Sequence, residues 1–411
     1  MEPVPSVGWG FFPLDEQLAL LAGSLTPTQE EYLVRVATWM PFGCAGRMLE
    51  ALLGVQVSEA TVRRHTYQAG QVYEEGQNTH RQCPSTSKLP GSRTSEQLVL
   101  SADGAMVPLV GGVWAEVRTL AIGEVKHEGE QTRTSALSYF SRMTDALTFT
   151  DLAEGEMERR RVPEAPQVAA VMDGADWLQG LVDGHRPDAV RILDFPHAAQ
   201  RISAILDTVQ HAGHPLPLDA LPRCLHLLKH RGPSPVLRWL RHLTRSVVER
   251  GTIREDLAYL HKREASMQYP RYRQAGWPMG SGMVESANKL VMQTRMKGPG
   301  MHWAGPHVNP MLALRNAVCN DRWSEAWELT GSTRLVQRQH TRLTAVHHRQ
   351  HEATHRFLLL WMRFLLPSLR GCPPPPAPPR PACMADGKPT AHHPWRRRWS
   401  PRSPTAEPAK K

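Results

Sequence analysis

Between Gln97 and Phe195 the chain repeatedly changes its hydrophobic period, and the order of those changes restricts the fold more than any other stretch. QLVLSAD (Gln97–Asp103), VWAEVRTLAIGEV (Val113–Val125) and RTSALSYFSRM (Arg133–Met143) read as three successive strands, with Gly111 and Gly112 forming a turn between the first two. A helical pattern then covers about Asp145 to Arg161. It is followed by the strand QVAAVMD (Gln167–Asp173), a helix through Trp177–Val182 and the strand AVRILDF (Ala189–Phe195). A chain written this way must gather its strands into a sheet and pack the helices on it.

Three strands, helix, strand, helix, strand is the order of the ribonuclease H-like fold. In that order Asp103 closes the first strand and Asp173 the fourth, so neighbouring parallel strands would bring two carboxylates to one sheet edge. Like charges that close must give up ionisation or bind a cation, and hard Mg²⁺ suits oxygen ligands. The segment PMGSGMVESANKL (Pro278–Leu290) offers a third carboxylate. Glu285 falls one residue too late after Ser281 for an S-x-x-E capping box, although a helix dipole alone would favour a carboxylate in the first turn. The glycines let backbone approach a metal or a phosphate, which makes Glu285 the expected third ligand.

Around this core the expected class is α/β, a ribonuclease H-like catalytic domain interrupted by an all-helical insertion and preceded by a helical helix-turn-helix domain. The divisions are an N-terminal segment (1–28), the helix-turn-helix region (29–76), a linker (77–96), the first part of the catalytic domain (97–200), the insertion (201–275), its second part with the Glu285 helix (276–330), C-terminal helices (331–370) and a Pro-rich basic tail (371–411) expected to be disordered. In Pro41–Gly70, apolar Met48, Leu49, Leu52 and Leu53 precede a turn at Gly54, and Ser58 stands where an N-cap would open a second helix. Arg63, Arg64 and His65 on that helix are placed for base or phosphate contacts, although any two packed helices around a glycine turn look alike. A net charge of +10 and a pI near 9.5 favour a polyanionic partner, with nucleic acid first. WRRRW at Trp395–Trp399 could add contacts that do not read sequence. The six cysteines form no C-x-x-C pair and read as reduced thiols, no secretory signal opens the chain, and FLLLWMRFLLP (Phe357–Pro367) is too short to span a bilayer. The expected location is the bacterial cytoplasm, on the nucleoid.

LSADGAMVPL with VWAEVRTLAIGEV, VMDGADWLQGLV with ILDFPHA, and PMGSGMVESANKLV with MLALR closely resemble insertion-sequence transposases of the ISKra group, DDE enzymes related to the Mutator-like elements. The resemblance runs from GFFPLDEQLAL at Gly10 to HPWRR at His393. It implies a catalytic domain that uses two Mg²⁺ or Mn²⁺ ions to cleave and transfer strands at the terminal inverted repeats of a mobile element, with target DNA as second substrate and an oligomer of the chain assembled on DNA. By that similarity Asp103, Asp173 and Glu285 are the metal-holding triad, and Asp194 with His197 matches a D-x-x-H signature in a supporting or alternative ligand role. Ser58, Arg63, Arg64, Lys289, Arg295 and Lys297 are the candidate DNA contacts. The family's usual cysteine pairs ahead of GFFPLD are missing, so the N-terminal segment reads as shortened.

Trp177, Trp277 and Trp303 flank these motifs and could stack on an extruded base, although tryptophans beside a sheet are more often core. Two other functions compete. HEATH (His351–His355) matches the zincin pattern H-E-x-x-H, but 20 histidines make a chance match easy and no third ligand follows. A DNA-binding protein that has lost catalysis would use the same helix-turn-helix and charge.

Overall fold

The computed structural model describes residues 25–82, 95–129, 131–247 and 251–365 and the pairs 384–385 and 388–389. The chain divides into two compact units, Met1–Gln339 and His340–Lys411. The first is α/β and is built on one mixed sheet of β1 (Gln97–Pro108), β2 (Trp114–Glu128), β3 (Gln131–Arg142), β4 (Gln167–Met172) and β5 (Val190–Leu193), in the order β3-β2-β1-β4-β5. β1, β2 and β3 pair antiparallel, whereas β1, β4 and β5 pair parallel. Gly111 and Gly112 both take positive φ at the β1–β2 turn, a conformation that favours glycine.

Asp103 does not close β1. The strand continues to Pro108 because its antiparallel pairing with β2 runs from Leu98↔Glu124 to Pro108↔Trp114, while its parallel pairing with β4 stops at Leu100↔Ala170. Asp103 therefore lies just past the end of the parallel ladder. Gly104, within the strand, leaves room for the Glu116 side chain, whose carboxylate would meet a Cβ added there.

Alternation along the strands sends side chains to two helical layers. Leu98, Leu100, Ala102, Val168, Ala170 and Met172 pack under α4 (Ala146–Arg159) and α5 (Asp176–His185). Val99, Ala169, Val171 and Ile192 face α6 (Phe195–His211), α7 (Ala220–Arg231), α8 (Pro233–Leu243), α9 (Gly251–Lys262) and α10 (Tyr269–Gln274). The expected insertion is thus helical, but it starts directly after β5 and shares one core with the sheet. Past α10 come α11 (Gly282–Ala287), a π turn (Asn288–Gln293), α12 (Thr294–Met296) and α13 (Val308–Cys319), which cover Val107, Val117, Ala121 and Tyr139.

The N-terminal helices are α1 (Pro27–Trp39), opened by a Thr26–Gln29 capping box, α2 (Phe42–Leu53), closed by left-handed Gly54, and α3 (Glu59–Gln82). Only Leu49 of the expected apolar face of α2 is buried. Met48, Leu52 and Leu53 are exposed, because Ala45, Gly46 and Leu49 are the residues that meet Val57 and Val62. α3 occupies the first six residues of the expected linker, held by Gln77, which accepts from Arg142 at 2.5 Å, and by Gly76, which leaves no room beside Leu329 and Thr333. Nearly all of the N-terminal segment, the rest of that linker and the Trp395–Trp399 cluster lie outside the described residues. So does the Pro-rich tail, apart from the paired strands Met384–Ala385 and Lys388–Pro389. HEATH belongs to the long helix α14 (Trp323–Leu365), where all five of its residues are exposed. Among the described residues no helix is long and apolar enough to cross a membrane.

Candidate functional site

The parallel strands β1 and β4 deliver Asp103 and Asp173 to the same end of the sheet. One oxygen of Asp103 accepts from the Gly104 N–H at 2.8 Å, and the other accepts from the Asn288 amide at 2.9 Å. Asp173 follows β4 and turns the chain towards α5, where its carboxylate accepts from the Ala175 N–H at 2.8 Å. Its backbone is held from the helical layer. The Tyr259 hydroxyl donates to the Asp173 carbonyl, and Arg263 donates to the carbonyl of Gly174 from Nε at 2.8 Å and also from Nη2. Gly174 has a φ of 85° and lies against the Arg263 side chain, so both its conformation and its space exclude larger residues.

Asp194 is fully buried and caps α6 rather than ending a strand. Its Oδ2 accepts from the His197 backbone N–H at 3.3 Å and pairs with His197 Nδ1 at 2.6 Å, while its Oδ1 accepts from the Ser281 N–H at 2.7 Å. It thereby ties the end of β5 to the Gly280–Gly282 turn that starts α11. The hydrogen bond to Asp194 raises the His197 pKa against desolvation, and the charges of Asp194, Asp173 and Asp103 push the same way. These neighbours favour the charged imidazole over the neutral one.

Glu285 projects from the first turn of α11 and is exposed. Burial raises the Asp103 pKa; the Gly104 N–H opposes it, and the negative charges of Asp173 and Glu285 add to it more than His197 removes. The three carboxylates thus sense one another. Their hard oxygen donors and a mutual repulsion that the Gly104 N–H and His197 offset only in part fit a divalent cation. Among the described residues, however, no three His, Cys, Asp or Glu side chains are drawn together as a finished ligand set. Asn288, one turn after Glu285, was not singled out from the sequence; the E-x-x-N spacing that puts both on one helix face was its only signal. Tyr259 and Arg263 left no motif at all, since they reach Asp173 and Gly174 from a separate helix.

The candidate DNA contacts divide. Arg63 and Arg64 are exposed on α3, and Lys289 and Lys297 are exposed around the Glu285 segment, with Lys297 above the Trp114 ring at 5.9 Å. Ser58 caps α3 through the Thr61 N–H at 3.2 Å. His65 is buried and pairs with Glu30 at 2.8 Å, so it offers nothing to a groove. Burial alone would raise the Glu30 pKa, but hydrogen bonds from His65 and Arg334 outweigh it and leave the carboxylate lowered. Arg295 is likewise not a surface contact. It is buried, donates to the Ala37 carbonyl at 2.9 Å and lies over the Phe42 and Trp303 rings at 4.7 and 5.2 Å. Trp277 and Trp303 are core residues, and half-buried Trp177 has Arg118 over its ring at 5.2 Å. Comparison with known proteins finds no matching family model and no matching curated protein.

Proposed function

We propose that this chain is an insertion-sequence DNA transposase that binds the inverted repeats of its element and cleaves and transfers strands there. The observation that carries the reading is that two parallel strands bring Asp103 and Asp173 to one end of the sheet, with Glu285 on a distant helix near enough for its charge, like that of Asp173, to raise the Asp103 pKa. The strand order β3-β2-β1-β4-β5, antiparallel then parallel, supports a ribonuclease H-like catalytic domain. Exposed Arg63 and Arg64 on α3 support a DNA-binding role for the helical pair before it.

Asp103, Asp173 and Glu285 would hold Mg²⁺ or Mn²⁺, which when bound supplies Lewis-acid activation of an attacking water or 3′-hydroxyl and offsets charge on the departing oxygen. Asn288 orients Asp103 through the amide it donates. Glu285, free on a helix surface, has the rotamer freedom to join the two aspartates. Asp194 is spent on Ser281 and His197, which favours Asp173 as the second ligand and gives Asp194 a positioning role. His197, held by Asp194 at 2.6 Å and with its charged form favoured by that hydrogen bond, is a candidate contact to a phosphate oxygen near the site.

The test is strand cleavage of element-end DNA with Mg²⁺ or Mn²⁺, beside binding to the same ends and to random duplex at one salt concentration. Binding no tighter than to random duplex, together with no cleavage, sinks the reading. End-specific binding without cleavage leaves the second reading, a DNA-binding relative without catalysis, to which an exposed Glu285 outside any finished ligand set also speaks.

A further inference from the structure

A cavity of about 590 Å³ opens between α7 and α10, on the helical layer and apart from the aspartates. Its lining combines the basic Lys229, His230 and Arg273 with polar Thr132 of β3 and Gln274 and with apolar Pro278, Met279 and the edge of the largely buried Trp277. Arg273 Nη1 lies 3.2 Å from His230 Nδ1. Desolvation lowers the His230 pKa, and every charged neighbour that adds to the shift is cationic: His226, Arg273 and Lys229. Basic residues in a last helical turn are ordinary for the helix dipole, which accounts for Lys229 and His230. Arg273 stands likewise in the last turn of α10, and what a single helix dipole does not explain is that two helix ends bring their cations to the same opening. Positive charge gathered beside an aromatic edge and aliphatic side chains suits a ligand that is anionic at one end and planar at the other.

We propose that this cavity holds one nucleotide unit of a nucleic-acid strand, with its phosphate on Lys229 and Arg273 and its base against Trp277, Pro278 and Met279. The inference rests on the reading of DNA as partner, and it adds a contact well away from α3. The apolar lining also leads directly into the proposed site. The Met279 carbonyl accepts from the Phe195 N–H at 2.9 Å, and two residues later the Ser281 N–H donates to Asp194 at 2.7 Å. A strand held here would steady the turn from which Glu285 departs.

The experiment uses the full chain, the double variant Lys229→Ala/Arg273→Ala and, as control, Arg63→Ala/Arg64→Ala. Thymidine monophosphate and inorganic phosphate are titrated calorimetrically at low salt, and the salt dependence of binding to a single-stranded oligonucleotide is measured for each protein. The parent should bind the nucleotide more tightly than phosphate. The pocket variant should lose at least ~10-fold in nucleotide affinity and flatten the log–log salt slope by about 1, while the control keeps its nucleotide affinity. Unchanged nucleotide affinity and slope in the pocket variant overturn the proposal, as does phosphate binding as tight as nucleotide binding. A parent that holds nucleotide here but neither recognises nor cleaves element ends fails only the transposase reading. A pocket variant with the parent's slope, nucleotide affinity and cleavage fails only this one.

Discussion

Burial and neighbouring carboxylates disfavour the charge on Asp103. Its folded pKa is raised by burial and by two neighbouring carboxylates, so above the usual carboxylate range the unfolded chain ionises first and the folded state holds the extra proton. Stability therefore falls as pH rises from the ordinary carboxylate value through the raised one. Asp103→Asn keeps the shape and removes the charge. It should flatten that part of the pH–stability curve and raise the thermal midpoint near pH 7 by ~2 °C, the size expected for ~1 kcal/mol of relieved repulsion. Millimolar Mg²⁺ should stabilise the parent but not the variant, as measured by calorimetry with and without the ion. A parent insensitive to Mg²⁺ and Mn²⁺ would rule out a metal site at these carboxylates. Asp173 and Asp194 separate in the same experiment. Asp173→Asn should leave the fold and DNA binding intact and abolish cleavage. Asp194→Ala strips acceptors from the buried Ser281 N–H and from half-exposed His197 and should cost about 1–3 kcal/mol of stability, with cleavage reduced about 10- to 100-fold. The opposite pattern, with Asp173→Asn active and Asp194→Ala folded but dead, would move the second ligand to Asp194. The aspartates were legible because each ends an apolar run, whereas Asn288 and buried Arg295 were not. Arginine reads as surface in any local pattern, and the Ala37 carbonyl and the Phe42 ring, more than 200 residues away in sequence, help draw Arg295 inside.

Within α3, function and stability are expected on opposite faces. Arg63→Ala/Arg64→Ala touches only exposed side chains and should weaken DNA binding at every sequence and lower the salt slope by about 2, with no change in the thermal midpoint. Gly70 faces the other way. A Cβ there would sit 2.5 Å from the Pro310 carbonyl oxygen on α13, a backbone atom that cannot swing aside. Gly70→Ala should therefore destabilise by about 1–3 kcal/mol, measured by urea unfolding. If Gly70→Ala unfolds like the parent, the α3–α13 contact is not the close one described. The sequence pattern located every strand of the sheet, since alternation survives without tertiary knowledge, but it stopped β1 at Asp103 and chose the wrong face of α2. Each misreading has a tertiary cause: β1 runs on past Asp103 because β2 pairs with it to Pro108, and α2 turns Ala45, Gly46 and Leu49 inward because Val57 and Val62 meet them there.

At the scale of the Met1–Gln339 unit, the N-terminal helices do not stand apart from the sheet as a separate helix-turn-helix domain would. α13 packs its Met311 and Leu312 with β1, β2 and the Glu285 segment, and its Ala313, Leu314, Ala317 and Val318 with Val34 of α1 and Ala69 and Tyr73 of α3. Buried Arg315 on the same helix donates to the Val291 carbonyl and, at 3.0 Å, to the Thr38 carbonyl of α1. Removing residues up to 88 would bare that apolar face, at about 1.5–3 kcal/mol for each larger side chain, and leave the guanidiniums of Arg295 and Arg315 without acceptors they now have. Losses of that size are comparable with the whole stability of a domain. Residues 89–411 produced alone should aggregate or bind a hydrophobic dye. Co-produced with residues 1–88 as a second chain, they should yield a one-to-one complex that melts in a single transition from α3 to the sheet. The measurement is size-exclusion with scattering, then calorimetry of whatever elutes. A soluble 89–411 fragment with the parent's melting midpoint would show that α1–α3 fold and act independently. A single shared transition would mean instead that DNA bound at Arg63 and Arg64 is held by the same packed body that presents Asp103, Asp173 and Glu285, so that end recognition and cleavage geometry cannot be separated by cutting the chain between α3 and β1.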